Sequence, residues 1–289
     1  MTQNNKQKKL QRKNAKRKKL VVEQKKKLQL KKHRENIEDL VENALTYVSQ
    51  NRPDYAKTLL DKLSTKYPNE SLILYGYGLY YLSIEYDKKG ISFLQKSIEF
   101  DPKFAYAYIN LSIAYYKNFQ LHKMMDTIHV MFKKAKYEKE SFGIAEERLI
   151  STEKLIKEHY DLTLEKYCDS QRLYEKAYNA MLNSDFKESI ILFTESLKIL
   201  PDHVQSFGNI GICFAKLGDK NRALKSFDAA LLLDPEYELA IVNKAIVEQL
   251  KEGVILGGKI NSTEYYKDYS MQNKSYIDEV NQALELEYR

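Results

Sequence analysis

The sequence predicts an all-α fold, an array of stacked helical hairpins behind a basic N-terminal arm. Three observations predict it. Pro68 and Pro102 stand 34 residues apart, as do Pro201 and Pro235, and each closes an amphipathic stretch. Small residues recur at two fixed places within the 34-residue units, where the two helices of a hairpin would touch. Residues 1–34 carry 15 Lys and Arg against the single Glu23, so a dense positive charge precedes the periodic region. A constant period of this length marks repeated supersecondary units that bury their apolar faces against their neighbours.

The arm, 1–34, has a net charge of +14, and the remaining 255 residues hold 32 basic and 39 acidic side chains, a net of −7 within the chain total of +7. Like charges this dense repel and bury little. Residues 1 to about 19 are therefore expected to be disordered in isolation, with helix from Leu20 onward.

The first block, 35–138, holds three units. Residues 37–70 place Leu40, Ala44, Tyr47, Ala56, Leu60 and Pro68 in frame, and 71–104 place Leu74, Tyr77, Gly78, Tyr81, Gly90, Leu94 and Pro102. Residues 105–138 keep Tyr108, Leu111, Ser112 and Tyr115 in the first helix. Their second helix has Met124, Ile128 and Met131, with Lys136 where proline would stand. Residues 139–169, three short of a unit, read as an irregular helical hairpin or one long bridging helix, with Leu149, Leu155, Ile156, Tyr160, Leu164 and Tyr167 at helical spacing.

The second block, 170–250, opens with 170–203, where Leu173, Ala177, Phe193 and Pro201 fit and Ala180, Ser189 and Ser196 fit approximately. The clearest unit is 204–237: Phe207, Ile210, Gly211, Phe214, Ala223, Phe227, Ala230 and Pro235 fall at positions 4, 7, 8, 11, 20, 24, 27 and 32. Gly211 and Ala223 suit a close helix–helix contact, and Phe214 and Phe227 fill the space beside it. Leu217-Gly218-Asp219 reads as the turn, with Gly at a helix end and Asp as the next cap. Pro235 ends the second helix because it lacks an amide proton. This unit resembles the tetratricopeptide repeat, with Phe207 for the usual Trp and Ile210 for the usual Leu. Five units framed this way cover a little under three fifths of the chain. Residues 238–250, with Ala240, Ile241, Ala245 and Ile246, read as a capping helix stacked on the last unit. Residues 251–289 read as a Gly-containing linker followed by a short C-terminal helix over 276–286.

At 43% apolar residues the chain can bury an elongated core, and no apolar run reaches the ~20 residues of a membrane span. Leu20-Val21-Val22 is too short for a secretory signal and the arm lacks the Ser of a mitochondrial presequence, which leaves a cytoplasmic setting as the expectation. Cys168 and Cys213 form no paired spacing and read as reduced thiols.

The resemblance implies a partner-binding function. In such repeats, positions 2, 5, 6, 9 and 12 of each first helix line a concave groove. Here they give Leu72, Tyr75 and Leu79, then Tyr106, Ile109, Asn110, Ile113 and Tyr116, then Tyr174 and Tyr178, then Asn209 and Ile212. Asn243 of the capping helix shares position 6 with Asn110 and Asn209, where an amide can bond a bound peptide backbone. Tyrosine, with 23 copies and no Trp in the chain, offers a broad rigid contact at low entropic cost. The same tyrosines could instead pack against 139–169. The carboxylate clamp by which some relatives grip acidic chaperone tails needs Lys, Asn, Asn, Lys and Arg where this chain has Val41, Leu45, Gly76, Tyr106 and Asn110, so the expected ligand is an apolar or aromatic segment, extended or helical, of another protein.

A second candidate is the arm. Lys8, Lys9, Arg12, Lys13, Lys16, Arg17, Lys18, Lys19, Lys25, Lys26 and Lys27 would attract a polyanion, RNA, a ribosomal surface or anionic lipid, by charge alone, since no aromatic residue is present to stack on bases. A solubilising tail is the alternative. Gly253 to Lys259 imitates a phosphate loop, but Ile260 stands where Ser or Thr must be. The five His are scattered without metal spacing, and no nucleophile–base pair emerges. Of these, His122 and His129 read as surface residues. No enzyme activity, metal or cofactor is expected.

Overall fold

The computed structural model describes residues 3–257, and within them the backbone is helical between short turns. The described chain divides into one unit built on residues up to Leu111 with Lys134–Lys136, and a second from Ser112 to Lys133 and from Tyr137 onward.

The first unit begins with α1 (Gln3–Ser49), then α2 (Pro53–Lys66), α3 (Ser71–Ser83), α4 (Asp87–Phe100) and the start of α5 (Ala105–Lys117). α1 starts at Gln3, ahead of Leu20, and its Lys, Arg and Gln residues, without Gly or Pro, are all good helix formers. Its last turns turn inward: Ile37, Val41 and Ala44 pack with Ala56, Leu60 and Leu63 of α2 and with Leu72, Ile73, Tyr77, Tyr80 and Tyr81 of α3. Pro53 stands in the first turn of α2, where a missing amide proton costs nothing. α3 and α4 approach closely through Gly78 and Gly90. A Cβ on Gly90 would lie 2.7 Å from Leu82 and 3.0 Å from the Gly78 carbonyl, so both small residues are needed where the sequence places them.

The second unit contains the rest of α5, α6 (Leu121–Lys134), α7 (Lys139–Tyr160), α8 (Leu164–Leu182), α9 (Phe186–Ile199), α10 (Val204–Lys216), α11 (Lys220–Leu233) and α12 (Glu238–Gln249). The stretch expected to be irregular consists of α7 and the first turns of α8, separated by Asp161 in the left-handed conformation and by Thr163, whose hydroxyl caps α8 at the Lys166 amide. The core is apolar and continuous: Ala177, Phe193, Phe207, Ile210, Phe214, Ala223, Phe227 and Ala230 are all buried. A Cβ on Gly211 would fall 2.6 Å from the Phe227 ring, which accounts for glycine at that position.

The two imperfect small-residue positions of α9 have a polar explanation. Ser196 donates its hydroxyl to the Ser170 carbonyl at 3.0 Å and Ser189 to the Ala177 carbonyl at 2.9 Å, so each serine is buried with its hydrogen bond satisfied. In the first unit Ser97 does the same to Ser71 at 2.8 Å.

A shared turn ties the period together. Asn51, Glu85, Phe119, Ser184 and Gly218, each the fifteenth residue of its unit, all have φ between 58° and 79°. In each, the next amide closes back on the carbonyl five residues earlier: Arg52 to Tyr47, Tyr86 to Tyr81, Gln120 to Tyr115, Asp185 to Ala180 and Asp219 to Phe214, at 2.8 to 3.0 Å. This left-handed helix stop recurs in all five units, including the one with Lys136 in place of proline.

α12 corrects one expectation. It packs through Ala240, Asn243 and Val247, whereas Ile241, Ala245 and Ile246, expected to stack on the last hairpin, face outward, with Ile241 45% exposed. Tyr237 and Leu239, just before and at its start, lie against Gly208, where a Cβ would meet the Tyr237 ring at 2.8 Å.

Candidate partner-binding surface

In the first unit the surface is built from α3 and α5. Leu72 is buried, Tyr75 and Leu79 are half-buried, and on α5 Ile109 is buried with Tyr106 and Asn110 half-buried. Asn110 Nδ2 donates to the Tyr75 hydroxyl and to the Tyr106 carbonyl, both at 3.0 Å. Burial pushes the Tyr75 hydroxyl up to about 12, so it stays protonated and can donate in turn. Phe104 meets Tyr75 edge-on at 5.0 Å, and Arg34, paired with Asp101 at 2.8 Å, lies over Phe104.

The second unit repeats the motif. Asn209 Nδ2 donates to the Tyr174 hydroxyl at 3.0 Å, the same pairing of position 6 with position 5 of the preceding unit. Tyr174, Asn209, Ile212 and Asn243 are buried, and Tyr178, Ile113 and Tyr116 are half-buried, with the Arg148 guanidinium 5.2 Å from the Tyr116 ring. Asn243 bonds within its own helix, to the Leu239 carbonyl.

Beside Tyr174 and Tyr178 lies a cleft of about 210 Å³, lined also by Asn118, Phe119, Gln120, His122, Lys123, Gln171, Glu175, Asn179 and Leu182. Its wall is a fixed polar network. Gln171 Nε2 donates to the Phe119 carbonyl at 2.7 Å and its Oε1 accepts from the His122 amide at 3.0 Å, so two backbone groups fix the orientation of the side-chain amide. The His122 ring lies between that Oε1 at 3.1 Å and Glu175 Oε2 at 3.0 Å, and Lys123 reaches Glu175 Oε1 at 2.6 Å. The hydrogen bond from His122, then that from Lys123, holds the Glu175 carboxyl down at about 2 against the opposing effect of burial. Arg172, with Asp126 and Asp169 each at 2.8 Å, fastens α6 to α8 on the neighbouring face.

Several lining residues escaped the sequence reading. Gln171 and Glu175 stand at positions 2 and 6 of their unit, but a search for aromatic and Asn side chains passes over them. His122, expected at the surface, is buried because Gln171 and Glu175 occupy both its ring nitrogens, whereas His129 is exposed. Of the arm residues, Lys19, Lys25 and Lys26 are exposed on α1. Lys8, Lys9, Arg12, Lys13, Lys16, Arg17, Lys18 and Lys27 lie on the same helix, with side chains outside the described set. Gly253 forms a turn after α12, and the rest of the phosphate-loop imitation, Lys259 and Ile260, lies outside the described residues, as does the expected helix over 276–286. Cys168 and Cys213 are buried, and burial pushes both thiols up to about 12. Among the described residues no cluster of three or more His, Cys, Asp or Glu could hold a metal, and no helix is long and apolar enough to cross a membrane.

Residues 204–237 match the family described as tetratricopeptide repeat. No curated protein matches the sequence. Among solved structures, the chain is similar to the TPR domain of P58(IPK), at 16% identity and a TM-score of 0.36 over 74% of this chain and 65% of that one. It is also similar to YrrB, described as a TPR protein with an unusual peptide-binding site, at 18% identity and a TM-score of 0.32 over 64% and 97%. A third likeness is to MamA from Desulfovibrio magneticus RS-1, at 12% identity and a TM-score of 0.35 over 70% and 97%. The chain thus spans just under two thirds of the P58(IPK) domain. Residues 204–237 thus form a tetratricopeptide repeat, and the same left-handed turn closes five helical hairpins among the described residues.

Proposed function

We propose that the chain is a non-enzymatic scaffold or adaptor of the cytoplasm that holds an extended or helical segment of another protein against the Tyr- and Asn-bearing face of its first helices. The observation that carries this reading is the cleft of the second unit, where Tyr174, Tyr178, Phe119 and Leu182 supply apolar area beside the amides of Asn118, Gln120 and Asn179. Aromatic area gives affinity, and amides can meet both the N–H and the C=O of a peptide backbone. Lys123 is already paired with Glu175, which favours an uncharged or aromatic ligand side chain over a terminal carboxylate. The Tyr75–Asn110 pair offers the same chemistry in the first unit.

Affinity capture with the intact chain tests this. Tyr178→Ala should lose any partner held in the cleft, and Tyr75→Ala with Tyr106→Ala any partner held by the first unit. A partner retained by all three substitutions together sinks the reading. A second reading, in which the arm anchors the protein to RNA or ribosomes, is supported by the exposure of Lys19, Lys25 and Lys26 along one continuous helix. If the arm neutralises six to ten phosphates, affinity for RNA should fall by about 10³–10⁵ between 50 and 200 mM salt. A flat salt response removes it.

A further inference from the structure

Ile241 and Ala245 stand at the fourth and eighth places of a sixth unit counted from Glu238. In 204–237 those places are Phe207, which is buried, and Gly211, which lies against the Phe227 ring of α11, so the second helix of the hairpin covers them. After α12, which packs against α10 and α11, the described chain supplies no such helix. It turns back, with Gly253 donating to the Gly218 carbonyl at 3.1 Å and Leu256 to the Ala215 carbonyl at 2.9 Å. The face that takes a helix in the preceding hairpin is therefore open here, with Ile241 45%, Val242 47% and Ile246 45% exposed beside an exposed Ala245. Large apolar side chains grouped on one exposed face mark an interaction surface.

The open stripe is symmetric about its own midpoint. Glu238, Ile241, Val242, Ala245, Ile246 and Gln249 share one face of the helix. Reversing their order pairs Ile241 with Ile246, Val242 with Ala245 and Glu238 with Gln249, so a second α12 laid antiparallel about a two-fold axis sets apolar side chains opposite apolar ones. Ala245 leaves room for the partner's Val242, which lets the two helices approach closely. Charge at the ends agrees. Glu236 precedes α12 and Lys251 follows it, both exposed, and antiparallel pairing brings each near the opposite charge of the second copy, whereas parallel pairing brings like to like. The helix dipoles also oppose one another. Lys244, at the rim, is already paired with Asp228 at 2.6 Å, so no lone cation is buried.

We propose that two copies of this chain pair through α12, antiparallel about a two-fold axis, with Ile241 of each copy against the partner's Ile246. This surface shares no residue with the cleft beside Tyr178, and the pairing stands whether or not that cleft holds a ligand. One helix from each copy falls short of the ~800 Å² per partner of a standard interface, so the dimer is expected to part on dilution.

Sedimentation of the intact chain between about 1 and 100 µM tests this, with the mean mass expected to rise toward two chains per particle. Ile241→Lys or Ile246→Glu, each at an exposed site, should weaken pairing about tenfold or more by setting a lone charge against an apolar side chain. An equal mixture of the two variants should regain the dimer, because the introduced opposite charges then face one another while the two remaining isoleucines still meet. Mixing Ile241→Lys with Ile241→Glu should regain nothing. In the unsubstituted chain, carbodiimide coupling of an equal mixture of isotope-labelled and unlabelled protein is expected to join Lys251 of one copy to Glu236 of the other, and this arm decides the matter should a variant fail to fold. A single-chain mass at every concentration, as a face covered by 258–289 would give, overturns the proposal. So do a dimer indifferent to Ile241→Lys and Ile246→Glu, folded variants whose mixture stays monomeric, rescue only by the mixture of Ile241→Lys with Ile241→Glu, or couplings between copies that exclude Lys251 and Glu236.

Discussion

Asn51, Glu85, Phe119, Ser184 and Gly218 share one left-handed backbone conformation, and only the last is the residue best suited to it. A side chain in this region costs about 1 kcal/mol or more relative to glycine. Ser184 and Glu85 are exposed and bury nothing on replacement. Ser184→Gly and Glu85→Gly are therefore each expected to stabilise the protein by about 0.5–1 kcal/mol, read as a raised urea midpoint, and a loss of stability would mean that these turns are not held as described. A second residue-scale prediction concerns pH. The Glu175 carboxyl lies at about 2 in the folded protein against 4.5 ordinarily, so it contributes stability above about pH 4.5 that is lost as the pH falls toward 2. Glu175→Gln should cost stability at pH 7, with the gap to the native chain closing by pH 2 to 3. A gap independent of pH would assign the loss to shape rather than charge. Neither feature was legible in the sequence: four unlike residues mask the common turn, and the contacts of His122 with Gln171 and Glu175 span 49 and 53 residues.

Hairpin elements were the readable part. Size and period place Gly78, Gly90, Gly211 and Phe227 in the sequence, and the structure shows what each meets. Phe227→Ala removes a fully buried ring and should cost about 3–5 kcal/mol through lost burial and the cavity left behind. α12 shows where period alone fails. Its apolar residues fall on more than one face, and the buried one, with Ala240, Asn243 and Val247, cannot be picked out by apolar spacing alone. The same holds for Ser189 and Ser196, which look like poor matches to a small apolar position until the carbonyl each one reaches is seen.

Across the molecule, the basic arm and the acidic body are separated in the sequence, and the periodic hairpins lie wholly in the acidic part. Stacked repeats draw their stability mainly from adjacent repeats, so damage should spread locally. The claim on which the rest depends is that 34-residue hairpins bury their apolar stripes against one another. Hydrogen exchange of Phe227→Ala, followed peptide by peptide, tests it most directly: the account predicts lost protection in α9 to α12 with α2 to α4 unchanged, and uniform loss along the chain, or none anywhere, would contradict it.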